Sequence, residues 1–204
     1  MWTSSQLHSE PDDDAQRRMQ APENEVPVAL PQNLLLARTD DVAVALVGLQ
    51  VHTTGLSLEL TVRMRPSARG RFAHTLDELV WRHGPDGGRF LLGVEFADGR
   101  RASSLPGADG VDVVFHPGGG SGGAATIEQS WWLSPLPPDG PLRFVVRCDE
   151  LGIAETVTEL DGTAIGRAAA RVVTLWPWEP PPEYGDHEPL PPPDLPADSW
   201  FARR

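Results

Sequence analysis

Lysine is absent from this chain of 204 residues, because all 17 of its basic residues are arginine. Without a lysine amine, the chain cannot form a Schiff base or build the lysine-dependent phosphate sites of P-loop enzymes and protein kinases. Cysteine is almost absent as well, since Cys148 is the only one. One thiol forms no disulfide within the chain and no zinc site of several thiolates. We therefore expect no metal and no cofactor.

Long apolar runs and a positive net charge are also lacking. The longest apolar run, residues 42–49, is far shorter than the ~20 residues of a membrane-spanning helix. The N-terminus has no basic region followed by an apolar one, so it does not resemble a signal peptide. The chain carries 29 acidic residues and a net charge of −12, which disfavours phosphate-rich partners. We expect a cytoplasmic protein that binds neither nucleic acid nor a membrane.

The composition divides the chain into three regions. Residues 1–25 hold six acidic residues and two arginines without apolar periodicity, which predicts a disordered N-terminal segment. Residues 179–204 have the same charge and are rich in proline, which predicts an extended acidic tail. Residues 26–178 remain, and their number suits a single domain.

The central region has the pattern of β-strands. Apolar and polar residues alternate along 56–65, which predicts an antiparallel strand with one exposed face. The preceding "DVAVALVGLQV" is apolar on both faces and predicts a central strand. Asp98-Gly99 lies between two strand-like runs, and this dipeptide is a strong hairpin signal. Further strands are predicted at 111–116, 127–133, 142–148, 156–160 and 171–175, with "VPVAL" and "LLLAR" adding one or two.

Two short helices complete the predicted fold. The sequence Thr75-Leu76-Asp77-Glu78 is a capping box, and Asp161 precedes "GTAIGRAAAR", whose apolar residues share one helical face. No strand–helix alternation of the doubly wound kind is present. The sequence therefore predicts an all-β fold, an antiparallel β-sandwich or jelly roll of 8–10 strands with one or two short helices and disordered termini.

A glycine-rich stretch, "HPGGGSGG" at residues 116–123, matches two functional patterns. With Ser121 at its centre it fits the nucleophile elbow of a serine hydrolase, and its glycines also fit a dinucleotide-binding loop. The context of both sites is missing, because His187 in the tail is the only later histidine and no strand–helix–strand unit surrounds the stretch. We expect a mobile loop between two strands. The six histidines form no closely spaced pair, so we expect them to be scattered surface residues.

Seven tryptophans offer a second kind of candidate site. If Trp131 faces the core of its strand, Trp132 points the other way. Trp132 is then either an exposed binding residue beside the glycine stretch, or it is covered by the second sheet, a helix or the tail. In the tail, Trp200 and Phe201 are apolar anchors that either dock on a partner or fold back onto the domain.

Three segments, "LLGVEFADGRR", "WWLSPLPPDGPLRFVVRCDELGIAET" and "AAARVVTLWP", are similar to a group of actinobacterial proteins without an established activity. The resemblance covers most of residues 26–178. It implies a bacterial cytoplasmic origin and carries over no catalytic residue.

The first functional hypothesis is a non-enzymatic interaction or accessory module that binds a protein partner. Its candidate binding residues are Trp132, Gly120, Ser121, Trp200 and Phe201, with the 135–141 loop at the same rim. One alternative is a small-ligand or carbohydrate-binding sandwich that uses Trp132 with Trp81 or Trp178. The other is an enzyme, either a Ser121 hydrolase or a metal-dependent jelly roll.

Overall fold

The structure, a computed structural model, describes residues 13–81, 89–105 and 112–180. Trp200 and Phe201 lie outside the described residues, as do residues 1–12 and 181–204. Within the described part, three α-helices and eleven strands are present. The helices are α1 (Asp13–Arg18), α2 (Leu76–Trp81) and α3 (Thr163–Ala169). The strands are β1 (Glu25–Val26), β2 (Val28–Arg38), β3 (Val42–Val51), β4 (Leu56–Met64), β5 (Leu91–Glu95), β6 (Arg101–Ser103), β7 (Val114–Gly122), β8 (Thr126–Ser134), β9 (Pro141–Cys148), β10 (Ile153–Asp161) and β11 (Val173–Thr174).

Two antiparallel sheets form a sandwich, as the sequence predicted. One sheet has five strands in the order β2-β3-β4-β8-β7, and the other has four in the order β10-β9-β5-β6. The nine strands of these two sheets fall within the predicted number. The sheets meet along two edges, because β2 contacts β10 and β9 while β7 contacts β6. The chain therefore changes sheet between β4 and β5, between β6 and β7, and between β8 and β9.

Alternating side chains from both sheets fill the space between them. In the four-stranded sheet, Leu92, Val94, Phe144 and Val146 are each at most 2% exposed. Trp131 stacks on Phe115 of the neighbouring strand, with 4.8 Å between ring centroids. The two-residue period of a strand thus places one set of side chains in the core and leaves the intervening set on the outer face.

The predicted local signals are found where the sequence places them. Gly99 has φ = 86° in the turn between β5 and β6, and its N–H donates to the carbonyl of Phe96 over 2.9 Å. The amide of Thr75 donates to Glu78 Oε2 at the start of α2 (3.0 Å). Asp161 Oδ1 accepts from the amide of Thr163 at the start of α3 (2.9 Å). These caps and turns form because each uses groups only a few residues apart.

The glycine-rich stretch is a strand, and the prediction of a loop was wrong. It forms most of β7, the edge strand of the five-stranded sheet, and Gly120 and Ser121 pair with Gln129 and Glu128 of β8. A Cβ at Gly120 would overlap the carbonyl oxygen of Glu128 and the ring of Trp81. Glycine therefore lets β8 and the end of α2 approach this strand closely.

The N-terminal segment also differs from the prediction. Residues 13–25, predicted to be disordered, include α1 and the beginning of β1. β1 pairs with β11, with Glu25 opposite Thr174 and Val26 opposite Val173. The pairing of these two segments supplies backbone hydrogen bonds that the composition of each segment alone does not reveal. None of the helices in the described ranges is long and apolar enough to cross a membrane.

Candidate functional site

Four charged side chains form a row straight across the outer face of the four-stranded sheet. The strand register places Glu159 beside Arg143, Arg143 beside Glu95, and Glu95 beside Arg101. Arg143 donates to Glu159 Oε1 over 2.7 Å and to Glu95 Oε1 over 2.8 Å, and Arg101 Nε lies 2.5 Å from Glu95 Oε2. We call this row the charge ladder. Its two carboxylates and two guanidinium groups alternate, so the ladder carries no net charge.

The ladder favours the ionised forms of its two central members, Glu95 and Arg143. The hydrogen bond from Arg143, together with the charge of Arg101, holds the pKa of Glu95 below its ordinary range. Hydrogen bonds to Glu159 and Glu95 raise the pKa of Arg143. Glu95 and Arg143 are therefore ionised at neutral pH.

Next to the ladder lies a row of small and apolar residues, which we call the apolar row. Each of its residues lies two positions along the strand from a ladder residue. Val157 pairs with Val145, Val145 with Gly93, and Gly93 with Ser103. Val157 is 56% exposed, the highest exposure among the described large apolar side chains together with Val173. Because the paired residues share one face, the row lies in the middle of a charged surface, with Val157 exposed and Val145, Gly93 and Ser103 half-buried.

Gly93 makes a hollow in the apolar row. A Cβ at this position would lie 3.6 Å from the carbonyl oxygen of Ala102 and 3.7 Å from the Cβ of Val145, which are ordinary contact distances. Packing therefore does not require a glycine here, although glycine in a strand interior is unfavourable. The effect of Gly93 is to leave a space on the outer face, where any other residue would project a side chain.

The hollow is the floor of a groove of about 390 Å³. Leu91 and Leu105 contribute apolar surface, with Leu105 44% exposed, and Arg147 and Glu155 form the rim opposite the ladder. Arg147 is held by Asp149, 3.0 Å away. Residues of four adjacent strands, β10, β9, β5 and β6, line the groove, so its shape is set by the sheet.

Trp132 is buried, contrary to the hypothesis of an exposed indole. It points away from the core, as predicted from Trp131, but is only 4% exposed. Its Nε1 donates to the carbonyl oxygen of Arg18 in α1 over 2.7 Å, and His116 Nε2 lies 2.7 Å from the carbonyl oxygen of Met19. A helix therefore covers Trp132, and that helix comes from the N-terminal segment.

A buried polar cluster lies beside Trp132. The ring of His52 meets the indole edge-on, with 5.6 Å between centroids, and its Nδ1 is 3.7 Å from Glu25 Oε2. Glu25 in turn accepts from the amide of Thr53 over 3.0 Å. Desolvation by burial lowers the pKa of His52, although the charge of Glu25 opposes this. His52 is 5% exposed, so the prediction of surface histidines was wrong at this position.

Of the predicted binding residues that the structure describes, Ser121 and Trp132 do not lie in one site. Ser121 is exposed on the edge strand and pairs with Glu128, four residues along β8 from Trp132. Four residues of strand correspond to about 13 Å. The carbohydrate hypothesis required Trp132 to form an exposed pair with Trp81 or Trp178. Trp178 instead lies under the guanidinium of Arg17, 4.5 Å from its ring centroid.

Groups suited to metal or thiol chemistry do not converge in the described part of the chain. No three of its histidine, cysteine, aspartate and glutamate side chains are placed to hold one metal ion. Cys148 is buried, and desolvation by burial raises the pKa of its thiol to about 11. A thiol that stays protonated is a poor nucleophile and a poor ligand.

The groove residues were missed by the sequence analysis. The available signals were a glycine inside the strand sequence "LLGVE" and a valine between two arginines in "RFVVR". Both are weak signals, because the groove combines residues of four strands that are far apart in the sequence. Comparison of the chain with protein-family models, with curated proteins and with solved structures gave no match.

Proposed function

We propose that this chain is a non-enzymatic protein-interaction module, and that the outer face of its four-stranded sheet is the binding surface. The observation that carries the proposal is the apolar row, with the exposed Val157 at one end and the hollow at Gly93. In a charged surface, an open apolar strip on rigid strands is typical of a site that another molecule covers.

Energetics favour a partner of protein size. Covering an exposed valine such as Val157 contributes about 1 kcal/mol, so a few such contacts need the support of a wider surface. The neutral charge ladder supplies that surface without a large desolvated net charge. The partner that fits has an apolar side chain for the hollow and charges in the reverse order of the ladder.

The candidate residues from the sequence enter this proposal differently. Gly120 and Trp132 support the fold of the module, because one permits close strand packing and the other holds α1. Ser121 stands on the exposed edge strand without a role in the groove. A cytoplasmic location, with neither nucleic acid nor membrane as partner, remains part of the proposal on composition alone.

A photo-crosslinking amino acid at position 157 tests the surface in the native host. Val47 gives a matched control, since it is an exposed valine (45%) on the five-stranded sheet. We expect discrete crosslinked protein adducts from position 157 and none of comparable yield from position 47. Equal yields from the two positions would show that this face is not the binding surface.

Gly93→Val gives a second arm that separates binding from folding. The added side chain fills the hollow, while its Cβ meets its neighbours at ordinary distances and valine favours strands. We expect the crosslinked adducts at position 157 to be lost and the melting temperature to be unchanged or higher. Retention of the adducts would exclude the hollow from the binding surface.

A further inference from the structure

We infer that the partner of this face is a second copy of the same chain, an inference that rests on the proposed function. The first observation is the order of charges in the ladder. Read across the sheet, it is Glu159, Arg143, Glu95, Arg101, and reversal of this order places an opposite charge at every position. A two-fold axis makes that reversal.

The axis lies in the interface, parallel to the strands and between β9 and β5. Rotation about it places β10 over β6 of the second copy and β9 over β5. Glu159 then faces Arg101 of the second copy, and Arg143 faces Glu95. Each contact occurs twice, because residues related by a two-fold axis make both halves of an isologous interface.

The same rotation joins the apolar rows. Val145, on β9, faces Gly93 of the second copy, on β5, so the side chain of one copy enters the hollow of the other. Val157 faces Ser103 in the same way. Steric fit and charge order are thus met by one symmetry operation.

Other face-to-face arrangements fit less well. A two-fold axis perpendicular to the strands would place Val145 against itself and Gly93 against itself, so the hollow would stay empty. It would also place the charge ladders of the two copies on opposite sides of the apolar row, where they do not face each other. The strand-parallel axis is therefore the arrangement that the side chains favour, with the two sheets stacked about 10 Å apart.

The size of the face sets the strength of the dimer. A face of four strands is about 19 Å wide, which keeps the buried area at or below the roughly 800 Å² per copy of a standard interface. Each copy also carries a net charge of −12, and this opposes association. We expect a dimer with a dissociation constant on the order of micromolar, which separates on dilution.

Charge reversal at the ends of the ladder tests the dimer by sedimentation velocity over a concentration series. In the proposed dimer, position 101 of one copy faces position 159 of the other. Arg101→Glu therefore places two negative charges at this contact, and Glu159→Arg places two positive charges there. We expect the dissociation constant of the dimer to rise by about tenfold or more in each variant. Arg63→Glu is the matched control, because Arg63 pairs with Glu128 on the other sheet and is 58% exposed. Its dimerisation should be unchanged.

An equimolar mixture of the two variants tests the symmetry itself. In the mixed dimer, both end contacts again join opposite charges, so we expect association to return to within about threefold of the wild-type chain. Native mass spectrometry should identify the restored species as one copy of each variant. Loss of dimer in both variants without recovery in the mixture would contradict the two-fold arrangement.

The remaining outcomes separate this inference from the proposed function. A wild-type chain that is monomeric at all concentrations, or a dimer insensitive to both reversals, would overturn self-association through this face. If position 157 nevertheless crosslinks to a different protein, the interaction module stands and only its partner is wrong. If position 157 gives no adduct either, both proposals fail.

Discussion

The indole Nε1 of Trp132 donates a hydrogen bond to the carbonyl oxygen of Arg18 over 2.7 Å, and this contact joins α1 to the outer face of the five-stranded sheet. A helix of six residues does not form by itself in water, because too few hydrogen bonds offset the cost of nucleation. The position of α1 therefore depends on such docking contacts.

Trp132→Phe removes the donor and keeps most of the apolar ring. We expect a loss of about 1 kcal/mol in the free energy of unfolding, and faster hydrogen exchange in residues 13–19, because the carbonyl of Arg18 loses its partner. Trp131→Phe is the control, since Trp131 lies in the core and bonds to Gln129. It should lower global stability without a selective effect on residues 13–19. Unchanged exchange there in Trp132→Phe would contradict the docking role.

His52 predicts a loss of stability toward acid pH. Burial lowers the pKa of its imidazole below the ordinary value of 6.5, so the folded state keeps it neutral when the unfolded chain begins to bind a proton. The contribution of neutral His52 to the free energy of unfolding is complete above about pH 6.5, and it is lost as the pH falls through the lower pKa of the folded state. We expect His52→Gln to flatten the pH dependence of the unfolding free energy just below pH 6.5. Denaturant titrations at several pH values measure it, and the half-exposed His74, changed to glutamine, is the control. An equal slope in both variants would be evidence against a buried neutral imidazole.

Cys148 should be inert in the folded protein. Its side chain is fully buried, and burial raises the pKa of the thiol to about 11, so both access and thiolate are lacking. We expect an aromatic disulfide reagent to react with it only at the rate of unfolding, and at once in denaturant. In Ser121→Cys, a second thiol on the exposed edge strand should react immediately under native conditions. Rapid reaction of Cys148 in the wild-type chain would refute the burial.

Two neighbouring glycines should respond differently to the same change. In Gly120→Ala, the new Cβ meets the backbone of β8 and the ring of Trp81, and we expect a loss of about 1 to 3 kcal/mol. At Gly119, nothing lies within 4 Å of the corresponding position, so Gly119→Ala should change stability by less than about 0.5 kcal/mol. Thermal and denaturant unfolding measure both. Similar losses would mean that close packing of β7 is not the reason for these glycines.

Local signals were sufficient for much of the secondary structure. The alternation along 56–65, the Asp98-Gly99 turn and the hydrogen bond to Asp161 at the start of α3 each depend on groups within a few residues. The strand, the turn and the helix are found where the sequence predicted them, although the N-cap residue of α3 is Gly162. The glycine-rich stretch was predicted wrongly because glycine has weak strand preference. Pairing with β8 decided its conformation, and the sequence of β7 does not contain that information.

The proposed site belongs to the features that local patterns do not show. Glu95, Arg101, Arg143 and Glu159 are spread over 65 residues of sequence, and only the register of four strands places them in one row. Gly93 acquires significance only beside Val145, which lies 52 residues away in the chain.

By itself, the sequence determined the class of fold and excluded lysine and multi-thiol chemistry, because composition and two-residue periodicity are properties of the chain. Only the tertiary structure decided that α1 covers Trp132 and that the exposed apolar surface lies over Gly93. The physical reason is that burial and charge order on a sheet depend on which strands become neighbours, and non-local pairing determines that.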